Sequence, residues 1–290
     1  MRNFRTVGFS SDTEKTRDRI RRLQQYMNGN VLSGQRFVCA SWRECEGSIS
    51  SGCTFVEGQL SHVGKHYDML IGGTPMRVVI VGQEVGGRGH PRTTLHERYQ
   101  DIYEGSGLGR GFVRDGLRKR RNPHMRGTTL ALRAVFGLPD SSAHQDEFLE
   151  MDNSKVHLFD CFALVNRLLC SSHLARTSTG RPSRTMFDNC QRHFLATLEI
   201  LQPTIVIIQG VKVWRHSQAA LVPKRHVSEH LVESDVGGQR VLVASFTHPS
   251  ARAEHRWDST NSAYMTQVVR PTLDAARGIA MRSGSLPTTR

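Results

Sequence analysis

The stretch that most constrains this chain is RVVIVGQEVGG, residues 77–87. Val78, Val79, Ile80 and Val81 are four β-branched side chains in a row. That pattern marks a strand buried on both faces, as in a parallel sheet with helices on each side. At Gly82 the apolar run stops, and the polar pair Gln83–Glu84 is followed by Gly86 and Gly87. Open α/β sheets bind ligands just past the carboxyl ends of their strands, and glycines there let the backbone approach a ligand closely. Glu84 is therefore a candidate for chemistry, with a purely structural turn as the alternative.

The rest of the chain alternates in the same way. Residues 12–27 predict an amphipathic helix capped by Asp12, with Ile20, Leu23, Tyr26 and Met27 on its apolar side and a solvated face of Arg17, Arg19, Arg21 and Arg22. Residues 31–75 read as irregular, with Cys39, Cys45 and Cys53 in a Ser/Gly-rich setting. A long connection, 87–126, carries a helix-like LHERYQDIYEG and the basic cluster Arg118–Arg121, which is either a solvated loop or a phosphate contact. Residues 127–137 predict a helix ended by Gly137. A second buried strand is expected at Val156–Phe159, with ALVN (163–166) as the loop above it, and a linker over 171–183. A helix over 185–200, a strand over 204–210, a helix over 211–219, a strand over 241–246 and a last helix over about 261–280, broken at Pro271, complete the pattern. Four apolar strands separated by helices imply a three-layer α/β/α fold around a central four-stranded, mainly parallel sheet. Residues 1–75 would pack on a core of residues 76–280, and 281–290 would form a disordered tail.

Charge narrows the partners. The 290 residues carry 39 Lys+Arg against 26 Asp+Glu, a formal net charge of +13. A balance that basic predicts a polyanionic partner, most often nucleic acid, against scattered charge or an anionic membrane. The N-terminus has no apolar core of signal-peptide type and no 18-residue apolar run exists, so the expected compartment is the cytoplasm. Six cysteines in a reducing compartment point to a metal, a cluster or plain burial rather than to disulfides.

Three loops, each expected just past an apolar strand, come together as GQEVG (82–86), LVN (164–166) and HPSA (248–251). In this order and spacing they resemble the uracil-DNA glycosylase superfamily, most closely its iron–sulfur-containing branch. The resemblance runs from about Cys45 to Arg277 and takes in LEILQPTIVIIQG and NPHMRGTTLALRAVFGL. It implies a monofunctional DNA glycosylase, acting as a monomer on uracil or a modified pyrimidine flipped from DNA. Glu84 would activate a water and stabilise the oxocarbenium-like sugar. His248 would donate to the base as negative charge develops. Gln83 and Asn166 would contact the base, and His124 falls where the family has a stacking phenylalanine, with Phe112 an alternative stacker. Ser250 would contact a phosphate, Gly86 lies in the DNA-facing loop, and Arg252 stands at the wedge position. Val85 departs from the proline common in the family's first loop.

The resemblance also implies a [4Fe–4S] cluster, with zinc as the alternative metal for a four-thiolate set. Cys170 and Cys190 match the family's second ligand pair. The usual C-x2-C first pair is absent, and Cys53 with Cys45 is the expected substitute, with Cys39 competing for the place of Cys45. Two further functions stay open: a glycosylase for hypermodified cytosine in phage DNA, serving defence, and a module that binds damaged or foreign DNA without cleaving it. No lysine sits in the three loops to form a Schiff base, which speaks against a lyase.

Overall fold

The run after Arg77 forms a central strand, with every residue from Val78 to Gly82 buried. The structure, a computed structural model, describes residues 8–84, 91–107, 113–114, 117–118, 122–141, 144–174, 177 and 180–284. Its main sheet contains, in chain order, β1 (His62–Val63), β2 (Val78–Gly82), β3 (Phe162–Asn166), β4 (Ile205–Gln209), β5 (Pro223–Ser228), β6 (Leu231–Val236) and β7 (Gln239–Phe246). The spatial order is β5-β6-β7-β4-β2-β3-β1. The neighbours β7, β4, β2 and β3 run parallel, while β1, β5 and β6 pair antiparallel. The sheet is thus mixed and seven-stranded, larger than the four-stranded sheet expected.

Seven α-helices are described: α1 (Thr13–Asn30), α2 (Trp42–Gly47), α3 (Leu95–Tyr99), α4 (Pro123–Val135), α5 (Arg184–Leu201), α6 (Val211–Ser217) and α7 (Arg270–Gly284). Alternation along the strands splits the core in two. Val78, Ile80, Phe162, Leu164, Ile205 and Ile207 pack with residues of α4 and α7, including Leu132, Val135 and Leu273. Val79, Val81, Ala163, Val165, Val206 and Ile208 pack with residues of α1 and α5, including Leu23, Met27, Phe194 and Leu198. Both faces are covered, as an unbroken β-branched run requires.

Several expectations are corrected. The second central strand is Phe162–Asn166, paired in register from Phe162↔Val78 to Asn166↔Gly82. The segment expected as a loop is the strand, while Ser154–His157 forms a hairpin with Phe148–Met151 in another sheet. Both stretches are short apolar runs, and periodicity alone does not choose between them. Residues 31–75 hold α2 and several short strands. The first residues of the supposed linker, Ser171–Leu174, pair with Cys53–Val56. Arg19, read as part of a solvated face, is buried against Asp68 at 3.1 Å. Before α7 the chain makes a wider π turn, Met265–Val269, where Pro271 offers no N–H to close an ordinary one. α7 runs past residue 280 to Gly284; residues 285–290 lie outside the described residues. Among the described residues no helix is long and apolar enough to cross a membrane.

Candidate active site

The pairing of Asn166 with Gly82 brings two predicted site loops to one point. Past it, Arg167 N–H donates to Gly82 O and Leu168 N–H donates to Gln83 O, each at 2.8 Å, so the two chains leave the sheet side by side. A Cβ on Gly82 would stand 3.6 Å from Asn166 Oδ1 and 3.8 Å from His124 Nε2, so both groups face the same small space. Asn166 is 9 % exposed, and its amide has no hydrogen-bond partner among the described residues. It can offer a paired donor and acceptor to a ligand.

His124 sits in the first turn of α4, behind Pro123 and the cap Asn122, whose side chain accepts from Met125 N–H at 2.9 Å. Its ring stacks on His248, with centroids 5.7 Å and planes 25° apart. Burial pushes its pKa down to about 3, helped by His248 and Arg98, so it is neutral near pH 7. Burial lowers His248 as well. The Ser250 backbone N–H lies 3.2 Å from His248 Nδ1, and Ser250 Oγ lies 2.8 Å away. A backbone N–H can only donate, so Nδ1 accepts and the proton of the neutral ring resides on Nε2. His248 is thereby held as a donor.

Close approach of α4 lets the two rings meet. A Cβ on Gly127 would lie 2.6 Å from Pro249 Cβ and 3.1 Å from the Trp257 ring, so only glycine allows this contact. Trp257 is fully buried, donates from Nε1 to Thr247 O at 2.7 Å and anchors the loop from its far end. Asp258, also buried, pairs with Arg126 of α4 and with Arg256. These residues carry no motif, and the sequence alone does not single them out.

Glu84 is placed differently. Its carboxylate turns toward the segment 171–180, accepting from Gln83 Nε2 at 3.0 Å on Oε1 and from Ser172 N–H at 3.4 Å on Oε2. A Cβ on Gly180 would fall 1.8 Å from Glu84 Oε1, so a residue read as part of a linker forms a wall of the carboxylate's pocket. Burial pushes the Glu84 pKa up to about 7, against the Gln83 and Ser172 hydrogen bonds and the charge of Lys212. Ser250 and Arg252 are exposed at the rim. Gly86, Gly87, Phe112 and Lys119–Arg121 of the basic cluster lie outside the described residues.

Four thiols gather behind this loop. Burial, reinforced by Cys190, Cys39 and Cys45, holds the Cys170 thiol well above its ordinary range, with the Gly58 backbone N–H opposing. Burial likewise pushes Cys190 up to about 11, opposed by the Leu169 N–H and reinforced by Cys45 and Cys39. Burial raises Cys45, whose sulfur lies 3.5 Å from Asn189 Nδ2. Cys39, Cys45, Cys170 and Cys190 thus act on one another's charge. Cys53 stands opposite Leu174, four residues from Cys170, or roughly 13 Å at about 3.3 Å per residue. Among the described residues no three His, Cys, Asp or Glu side chains are arranged to hold a metal ion. Compared with known proteins, the chain matches no family model and no curated protein.

Proposed function

We propose that this chain is a monofunctional DNA glycosylase that hydrolyses the bond between deoxyribose and a flipped uracil or modified pyrimidine, leaving an abasic site. The observation that carries this reading is the grouping around Gly82 of a free amide, a neutral planar ring and an imidazole held as donor. The parallel strands covered by helices on both faces, with loaded loops at one edge, support a uracil-DNA glycosylase-like fold.

In this reading the base lies against His124, and Asn166 pairs with its edge. As the glycosidic bond breaks, its electron pair passes to the base, and His248 Nε2–H donates to the oxygen on which that charge accumulates. Water attacks C1′, and Glu84 takes the water's proton; a carboxylate with a pKa near 7 is suited to that role at neutral pH. Ser250 and Arg252, on a chain of net charge +13, would meet the DNA backbone.

Cys39, Cys45, Cys170 and Cys190 suit an iron–sulfur centre by the chemistry of a four-thiolate donor set, and Asn189 Nδ2 lies 3.5 Å from the Cys45 sulfur. A cluster spreads its ligands wider than a single zinc ion does. Bound there, it would supply a structural clamp between α2, α5 and the loop after β3.

The test is alkaline strand scission on DNAs containing uracil, hypoxanthine, a mismatch or phage-type modified cytosine. Scission of the uracil or modified-pyrimidine strand is expected. A neutral imidazole at His124 in place of a phenylalanine favours a base with polar substituents, so scission of modified phage DNA alone would assign a defence role. Binding without scission on any strand would replace the reading with a DNA-binding module.

A further inference from the structure

Arg167, directly after Asn166, is 1 % exposed and forms no ion pair among the described residues. Its Nε donates to His216 O at 3.3 Å, and its Nη2 donates to His216 O and Phe187 O, each at 3.0 Å. Nη1 is buried with no partner. The guanidinium lies 5.7 Å from the Phe187 ring centroid and 5.2 Å from that of Phe194. Phe187, Cys190 and Phe194 fall three and four residues apart on α5, so they share one face of the helix. A cation against both rings therefore lies alongside Cys190 between them. The same stretch of chain supplies the Cys170 thiol, on whose charge Cys190 acts.

Of two other buried arginines, Arg19 has Asp68 in contact, while Arg133 is held by the carbonyls of Pro139 and Asp146. Arg167 has aromatic faces and carbonyls but no carboxylate in contact, the Asp188 charge acting on it from farther off, and an uncompensated buried charge is costly. Among the groups that act on its charge, the Cys190 thiol comes ahead of the Asp188 carboxylate. We propose that Arg167 is the counter-cation of an anionic centre held by Cys39, Cys45, Cys170 and Cys190, and that it raises the centre's reduction potential. The inference rests on the thiol set holding an iron–sulfur cluster. One-electron reduction makes such a centre more negative, and a nearby desolvated positive charge stabilises the reduced form more than the oxidised one.

The test uses the full chain purified without oxygen, assayed for iron and sulfide and then titrated potentiometrically with dithionite as the electron donor. The variants are Arg167→Met, which keeps the stem and removes the charge, and Arg167→Lys, which keeps the charge. In Arg167→Met the reduced-to-oxidised ratio at a fixed potential is expected to fall about tenfold or more, about 59 mV per tenfold for one electron. Arg167→Lys is expected to stay close to wild type. An unchanged midpoint in Arg167→Met overturns the proposal, as does a midpoint in Arg167→Lys as low as in Arg167→Met. If the cluster is lost in Arg167→Met but kept in Arg167→Lys, charge compensation stands; loss in both variants assigns the effect to hydrogen bonding and overturns it. Wild-type protein free of iron and sulfide after anaerobic reconstitution would reject the cluster itself, a result distinct from a loaded protein whose potential ignores Arg167.

Discussion

At the amino ends of the parallel strands, buried Arg19 and half-buried Arg77 and Thr204 have partners. Arg19 meets Asp68 at 3.1 Å and donates to Ile200 O at 2.8 Å, Arg77 Nε donates to Gln202 O at 2.5 Å, and Thr204 N–H donates to Arg77 O at 2.9 Å. At the carboxyl ends the pattern reverses. Gln209 Oε1, Ser172 Oγ, both ring nitrogens of His173 and Arg167 Nη1 are buried without partners, and Glu84 is held in surroundings that disfavour its charge. A buried unsatisfied group costs about 1–3 kcal/mol, so one end of the sheet is arranged for stability and the other retains groups that a ligand can satisfy. These groups lie at the same end of the sheet as the proposed site residues.

The sharpest way to break the comparison is at its two carboxylates. Glu84→Gln should lower the single-turnover rate of base release by about 10²–10⁴-fold, with DNA affinity retained in a filter-binding assay. Asp68→Asn, at the other end, strips the partner from buried Arg19 and should cost about 3–5 kcal/mol in urea denaturation, while the folded fraction keeps the wild-type rate. Asn166→Ala should cost about 1–3 kcal/mol of discrimination between bases, read as a change in relative kcat/KM. Because that amide is unpaired in the free protein, stability should not fall in step. Gly127→Ala forces a methyl against Pro249 and should cost about 1–3 kcal/mol of stability, with a lower rate as α4 and the His248 loop move apart.

The smallest effect is in pH dependence. Folded Glu84 holds its proton up to about pH 7, above the ordinary carboxyl value of 4.5. Folding therefore favours the protonated form: the stability this gives is complete below about pH 4.5 and is lost as pH rises through about 7. The Tm of Glu84→Gln should gain on wild type across that window and level off above it. A Tm difference that does not vary with pH would place Glu84 in an ordinary solvated setting.

Much of the frame was legible because burial on two faces leaves a simple trace. The runs at 78–82, 205–209 and 241–246 are strands, and Asp12 caps α1 through its side chain, which accepts from Lys15 N–H. The second central strand was misplaced because Val156–Phe159 and Phe162–Asn166 are equally apolar, and only pairing with β2 separates them. Antiparallel edge strands β1, β5 and β6 carry mixed, partly exposed sequences that give no strong period. In the site, motif spacing singled out Asn166, His124 and His248, which meet around Gly82. It missed Gly127, Gly180 and Trp257, whose contribution is closeness of approach and anchoring, properties that exist only once the chain is folded. In the same way, a separation along the sequence does not show that strand pairing sets Cys53 opposite Leu174.

The central claim, that the groups around Gly82 and Glu84 cleave a base from DNA, is tested most directly by quantifying free base released from uracil- and modified-pyrimidine-containing DNA by wild type and Glu84→Gln in single-turnover conditions. The account predicts stoichiometric base release by wild type on at least one of these strands, slowed at least about 100-fold in Glu84→Gln at unchanged DNA affinity. Equal rates in the two proteins would remove Glu84 from the chemistry, and no base released from any strand that wild type binds would contradict the claim.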